Sequence, residues 1–305
     1  MNLTGRHLVV FGAGYVGVAV ARQAVARGLR VTALTHNAAG ARSLTAAGVS
    51  VVLADLADDA WHPLISGGAD YVLNCVSAGG GGVEGYRRSY VGGMRSVLAW
   101  LAPSGGPAAT LVYTSSTSVY PQDGGITVTE ESPVGASGPT TEILVEAESL
   151  LLGGARLPGT PSSTGHRAFI LRLAGIYGPG RHHLLDQLRA GVSEIPGRGD
   201  IRLNLAHRAD ISEAIWAAFT APPEVAGGIF NVADDGAATK AEVVAWLAAR
   251  LGVPPPRFTG EPATGRRALA PDRVIANTKL KRELGWGPAF PTFREGYTSI
   301  LPAGE

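Results

Sequence analysis

Short, uninterrupted apolar runs recur along the first half of the chain. Most are followed by segments whose apolar positions return at helical spacing. Residues 7–11, 30–34, 49–53, 71–75, 110–114 and 168–173 read as strands, and residues 15–27, 86–101 and 140–152 read as helices. The strands are apolar throughout rather than alternating, the pattern of strands covered on both faces. Strands alternating with helices predict right-handed βαβ units and a parallel sheet, so the fold class is α/β.

Beyond the sixth strand the pattern changes. Residues 175–200 read as loop-rich with a short helix at 184–190, and helices at 210–219 and 240–251 flank a strand at 229–232. Residues 153–167 are rich in Gly, Pro, Ser and Thr and read as a surface loop. The expected organisation is a nucleotide-binding domain over 1–174 and a smaller substrate lobe over 175–305, with some segments returning to the sheet.

Composition narrows the function classes. At 305 residues, 45% hydrophobic and 17% charged, the chain has ample material for a buried core. A net charge of +1 leaves no electrostatic footprint for nucleic acid or an anionic membrane. The single cysteine, Cys75, excludes an internal disulfide and a multi-cysteine metal site, and fits a cytoplasmic location. The run from Leu8 to Ala21 resembles the apolar region of a signal peptide, but its glycine spacing favours a buried strand followed by a helix. No other apolar stretch is long enough to suggest a membrane span.

The glycine spacing carries the first chemistry. Gly12, Gly14 and Gly17 form G-x-G-x-x-G directly after a strand and at the start of a helix. Gly12 suits the tight turn, Gly14 lets backbone approach a pyrophosphate, and Gly17 lets the helix pack against the sheet. Tyr15 and Val16 lie in the same first turn, where unpaired N–H groups and the helix dipole favour phosphate. The second strand runs into Thr35, His36 and Asn37, where an NAD site usually carries an acid. These residues can donate hydrogen bonds to a 2′-phosphate, and Arg42 follows, so NADP(H) is the expected cofactor and NAD(H) the alternative.

Further segments resemble one family. Ala54-Asp55-Leu56, Leu111–Tyr120 with its serine run, Leu171–Gly180 containing Tyr-Gly-Pro-Gly, Asn204–Asp210, Phe230–Asp235 and Leu284-Gly285-Trp286 follow in the order seen in the extended and atypical short-chain dehydrogenases/reductases, the NAD(P)-dependent epimerase/dehydratase group. The resemblance spans nearly the whole chain. It implies a Rossmann doubly wound sheet of about seven strands, with a smaller C-terminal substrate lobe. It places Asp55 and Leu56 by the adenine, Val76, Ser77 and Ala174 toward the nicotinamide side, and Ser116 at the position of the catalytic hydroxyl. It implies a small-molecule substrate and a homodimer paired through the helices at 86–101 and 140–152.

Two departures stand out. The glycine loop is the shorter form of the atypical branch. The Tyr-x-x-x-Lys of the family, in which Lys lowers the pKa of the Tyr acid, is absent. Thr140 stands at the Tyr position and Leu144 at the Lys position, and the only lysines are Lys240, Lys279 and Lys281. The candidate replacements are Tyr177, with Arg181 nearby, and His182 or its neighbour His183. Cys75 is a small apolar filler or, in a rival reading, a nucleophile. Arg181, Arg198 and Arg202 are candidates for a substrate phosphate. The expected function is an NADP-preferring oxidoreductase or epimerase/dehydratase-like enzyme with a non-standard site. The alternative is a non-catalytic NAD(P)-binding regulator or redox sensor.

Overall fold

The computed structural model describes residues 3–66, 68–78, 80–102, 109–135, 138–154, 166–261 and 271–302. The chain opens with β1 (His7–Phe11), α1 (Tyr15–Ala26), β2 (Arg30–Thr35), α2 (Ala38–Ala46), β3 (Ser50–Leu53) and β4 (Tyr71–Asn74). α3 (Gly82–Arg87), a π-turn (Arg88–Gly92) and α4 (Gly93–Leu101) then follow without interruption. Next come β5 (Thr110–Ser116), β6 (Ile126–Val128), α5 (Pro139–Gly154), β7 (Arg167–Leu173) and β8 (Gly175–Tyr177). The remainder is α6 (His183–Arg189), β9 (Glu194–Ile195), β10 (Leu205–His207), α7 (Arg208–Phe219), β11 (Gly227–Val232), α8 (Lys240–Leu251), β12 (Arg257–Phe258), β13 (Arg273–Ile275), α9 (Thr278–Leu284) and α10 (Phe293–Thr298).

Seven strands form one sheet in the order β11-β7-β5-β4-β1-β2-β3. β1 pairs parallel with β2, His7 opposite Arg30, and with β4, Leu8 opposite Tyr71. The strand order therefore reverses beside β1. In open α/β sheets that switch point is where ligands bind, outside the carboxyl ends of the strands.

The two faces are covered, as the uniform apolar strands require. Val9, Phe11, Val72, Leu111 and Tyr113 pack in one core with Met94 and Val97 of α4 and Ile143, Ala147 and Leu151 of α5. Leu8 and Val10, which alternate with them, are equally buried. α1 and α7 lie against each other. The Trp216 indole donates to Gln23 Oε1 at 2.8 Å, and the Arg27 guanidinium stands 4.1 Å from the Trp216 ring centroid. This is the expected doubly wound Rossmann sheet.

The chain divides into two compact units. The first comprises Met1–Val119, Val134–Arg172 and Ser212–Phe230; the second comprises Tyr120–Pro133, Leu173–Ile211 and Asn231–Glu305. The break at Leu173 lies beside the expected boundary, but the segment from Tyr120 groups with the C-terminal residues. Its β6 pairs parallel with β13, Ile126 opposite Arg273, and the Arg273 guanidinium donates to the Tyr120 carbonyl. The second unit has its own core, built from Tyr177, Leu185 and Leu188 against Val243, Leu247, Phe293 and Tyr297.

Some local expectations change. The helix expected at 86–101 starts at Gly82 and is interrupted by the π-turn. The loop-rich stretch after Gly175 holds two short strands, β8 and β9. Of the surface loop expected at 153–167, residues 155–165 lie outside the described residues. Among the described residues no helix is long and apolar enough to cross a membrane.

Candidate functional site

A groove opens at the carboxyl ends of β1 to β4, within the first unit. Gly12, Ala13 and Gly14 form its floor, and Leu34, Thr35, His36 and Asn37 line it from the end of β2. Ala54, Asp55 and Leu56 follow β3; Cys75, Val76 and Ser77 follow β4; Ser89 enters from the π-turn.

The three glycines do different work. Gly12 has φ +91°, and a Cβ there would stand 2.6 Å from the Val76 Cα. A Cβ on Gly17 would collide with the Gly12 carbonyl oxygen and lie 2.9 Å from the Cys75 sulfur. Gly12 and Gly17 thus hold the loop, α1 and the end of β4 together. Nothing stands within 4 Å of a Cβ built on Gly14. That open side is where a pyrophosphate would come against backbone. Gly14 caps the twelve-residue α1 with no side-chain hydrogen bond and no acid in the first turn. The helix terminus is therefore aimed at an anion without a competing carboxylate. The residues present fit a dinucleotide.

The end of β2 is partly committed to its own turn. The Asn37 N–H donates to Thr35 Oγ1 at 3.1 Å, and Asn37 Oδ1 caps α2 by accepting from Ala39 and Gly40. Thr35 is buried, whereas His36 and Asn37 are exposed. Asp55 accepts from the Ala57 N–H and from Arg88 Nε, each at 2.9 Å. Against a burial cost that favours the acid form, those donors hold its carboxyl below the usual range.

Tyr15, Val16 and Gly17 do not line the groove; they build the first turn of α1 beneath it. Ala174 is buried in the second unit, its N–H donating to the Val232 carbonyl. Leu34, Ala13 and Ser89 line the groove without having been singled out in the sequence, and Ala54 joins them from the Ala54-Asp55-Leu56 segment. Cys75 lines it too, but its thiol donates to the Gly12 carbonyl oxygen at 3.0 Å. Burial pushes that thiol up to about 12, which corrects the nucleophile reading.

Ser116 ends β5 half-buried. Its Oγ accepts the Ser118 N–H at 3.1 Å, which leaves the hydroxyl proton available to a ligand. Thr140, at the family's Tyr position, is exposed, and Leu144, at the Lys position, is buried. No cation from α5 reaches this part of the site.

The second unit holds the other candidates. Tyr177 is 3% exposed, packed against Gly296 and Tyr297, and its hydroxyl has no hydrogen-bond partner among the described residues. Burial, reinforced by Asp234 and Tyr297, drives the phenol well above its ordinary value. That environment is the reverse of the one an acid working near neutrality needs, so Tyr177 is corrected to a core residue. His182 precedes α6 with Nδ1 2.8 Å from Asp186 Oδ1, and His183 opens the helix. Arg198 is paired with Asp200 and Arg202 with Asp272. His207 lies against Phe290 with burial depressing it to about 4, and the Asp210 carboxylate accepts the Ala289 and Phe290 N–H groups.

Comparisons with known proteins agree with this arrangement. Residues 8–233 match the model of the NAD dependent epimerase/dehydratase family. The chain is 27% identical to Protein YeeZ of Escherichia coli (strain K12), over 94% of this chain and 97% of that protein. It is 28% identical to a UDP-glucose 4-epimerase of Streptomyces lividans, over 94% of this chain and 92% of that one. The solved structure of MoeE5 with UDP-glucose and NAD superposes with a TM-score of 0.81 at 20% identity, covering 96% of this chain and 97% of that chain, and shares its fold.

Proposed function

The chain belongs to the NAD dependent epimerase/dehydratase family, and from that premise we propose that it is an NADP-preferring enzyme acting on a carbonyl or hydroxyl carbon of a small molecule. The observation that carries the reading is the groove at the switch point, floored by Gly12–Gly14 and free of an acid at the end of β2. Gly12, Gly14 and the first turn of α1 would hold the pyrophosphate; Thr35, His36 and the Asn37 amide nitrogen would meet the adenosine ribose and its 2′-phosphate. Asp55 and Leu56 would flank the adenine, and Val76 and Ser77 the nicotinamide half. When bound, the nicotinamide supplies hydride transfer. Ser116 donates its hydroxyl proton to the substrate oxygen and orients it. The reaction runs without a Tyr–Lys acid: positioning carries the rate, and the proton comes from water, the substrate or His182.

A second reading follows from Thr140, Leu144 and the enclosed Tyr177, which leave the usual acid positions empty of chemistry. On that reading the chain binds NAD(P) as a redox-sensing regulator. One experiment separates the two. Calorimetric titration with NADPH, NADP, NADH and NAD comes first, followed by incubation of the NADPH complex with a panel of aldehydes, ketones and nucleotide sugars. Enzyme predicts oxidation of the nicotinamide with at least one of them. Regulator predicts tight binding with no turnover. Failure to bind any of the four dinucleotides overturns both.

A further inference from the structure

Among the described residues lining the groove, Asp55 is the one carboxylate, and Arg88 is joined to it. The pairing is built by an irregular piece of helix. Between α3 and α4 the chain makes a π-turn over Arg88–Gly92, a widening that is rare and concentrated at functional sites. The turn sits close to the loop after β3 because it ends at Gly92 and is followed by Gly93, the first residue of α4. A Cβ on Gly92 would stand 3.2 Å from the Ala57 Cβ, and one on Gly93 3.0 Å from Leu56 Cδ2. That closeness brings Ser89 into the groove wall and Arg88 Nε to 2.9 Å from Asp55 Oδ2. The other oxygen, Oδ1, accepts the Ala57 N–H, so the carboxylate is fixed at both ends. His36, which follows β2, lines the same groove as Asp55. Asp55 thus shares the groove with the residues where the 2′-phosphate is expected, Thr35, His36 and Asn37.

We propose that Arg88 is a specificity-determining residue: by cancelling the charge of Asp55 it lets the groove accept the dinucleotide that carries a 2′-phosphate. This deepens the NADP reading above and rests on it. An uncompensated carboxylate in the groove would repel the extra phosphate dianion and leave NADH nearly untouched, because both dinucleotides share everything else. Arg88 acts here through Asp55, so removing both charges restores what removing one destroys.

The test is calorimetric titration of the full chain with NADPH and with NADH, for wild type, Arg88→Met, and the double variant Arg88→Met with Asp55→Asn. The readout is the ratio of the two dissociation constants. Arg88→Met is expected to shift that ratio toward NADH by about tenfold. The double variant is expected to return it to within about twofold of wild type, and the shift in Arg88→Met is expected to shrink at high salt. An unchanged ratio in Arg88→Met overturns the proposal. A lost ratio that the double variant fails to restore also overturns it, since Arg88 would then contact the phosphate itself or serve only the fold. If wild type binds neither dinucleotide, the groove reading fails instead, and that result is distinguishable from both. Arg88 is more than half exposed, so the variant is expected to fold, with circular dichroism as the check.

Discussion

The Arg172 guanidinium grips the Glu148 carboxylate with two donors, Nε to Oε1 at 3.0 Å and Nη2 to Oε2 at 2.6 Å, while both side chains are almost wholly removed from water. The Ser115 hydroxyl adds a third bond, 2.6 Å to Oε1. One carboxylate on α5 thereby ties together β5 and β7, directly beside Ser116.

Removing one partner of such a pair strands the other as a buried charge. Glu148→Ala is therefore expected to destabilise the protein by about 3–5 kcal/mol in urea unfolding. Replacing both, Glu148→Leu with Arg172→Met, is expected to recover most of that loss, because two desolvated charges are exchanged for apolar packing. A double variant no more stable than Glu148→Ala would show that the pair is net favourable in itself.

The Tyr177 hydroxyl is a buried polar group with no hydrogen-bond partner among the described residues. Deleting it removes a desolvation cost and breaks no hydrogen bond, so Tyr177→Phe is expected to be neutral or to stabilise by about 1 kcal/mol. Turnover with NADPH and any accepted substrate is expected to stay within about twofold of wild type. A fall of a hundredfold or more with unchanged stability would return Tyr177 to the acid role.

How much of this was legible in the sequence depended on length and burial. β1 is buried at every position, and its expected bounds coincide with the observed ones. A parallel central strand needs no alternation and so announces itself as a continuous apolar run. β9 and β12 have two residues each, pair across more than sixty positions, and show no period at that length. The π-turn was hidden because apolar spacing continues through it, which is why Ser89 and Arg88 went unnoticed. Gly12, Gly14 and the end of β2, which line the groove, were readable because each meets a backbone or charge requirement tied to a fixed place after a strand, whereas Asp55 was marked only by the family resemblance. Tyr177 misled because sequence proximity to Arg181 says nothing of burial, and burial decides the direction in which a phenol shifts.

The glycine loop gives a prediction that separates binding from folding. Gly17→Ala drives a methyl group into the Gly12 carbonyl and toward Cys75, so it is expected to lower the thermal midpoint and, with it, dinucleotide affinity. Gly14→Ala meets no atom within 4 Å, so it is expected to leave the midpoint within a degree or two and still weaken NADPH binding at least tenfold. Unchanged NADPH affinity in Gly14→Ala would place the pyrophosphate elsewhere.

Asp234 gives the chain a stability that falls with rising pH. It is 7% exposed, its Oδ2 has no hydrogen-bond partner among the described residues, and burial, with Asp235 and Asp210 adding to it against the Gly236 N–H, raises the carboxyl to about 8. The folded state therefore keeps a proton that the unfolded chain, with an ordinary value of 3.8, has already released. The contribution is fully present below that ordinary value and is lost as pH rises toward 8. The loss across that window is on the order of a few kcal/mol. Asp234→Asn carries no proton to lose and keeps the shape. Its stability relative to wild type is expected to rise between about pH 4 and pH 8 and to level off above that, measured by urea unfolding at fixed ionic strength. Comparing each protein with the other cancels the opposite slopes of Asp55 and Asp70, whose carboxyls are held below their ordinary values in both. A difference that stays flat across the window would mean that Asp234 is ionised in the folded protein and that the charge has found a partner there.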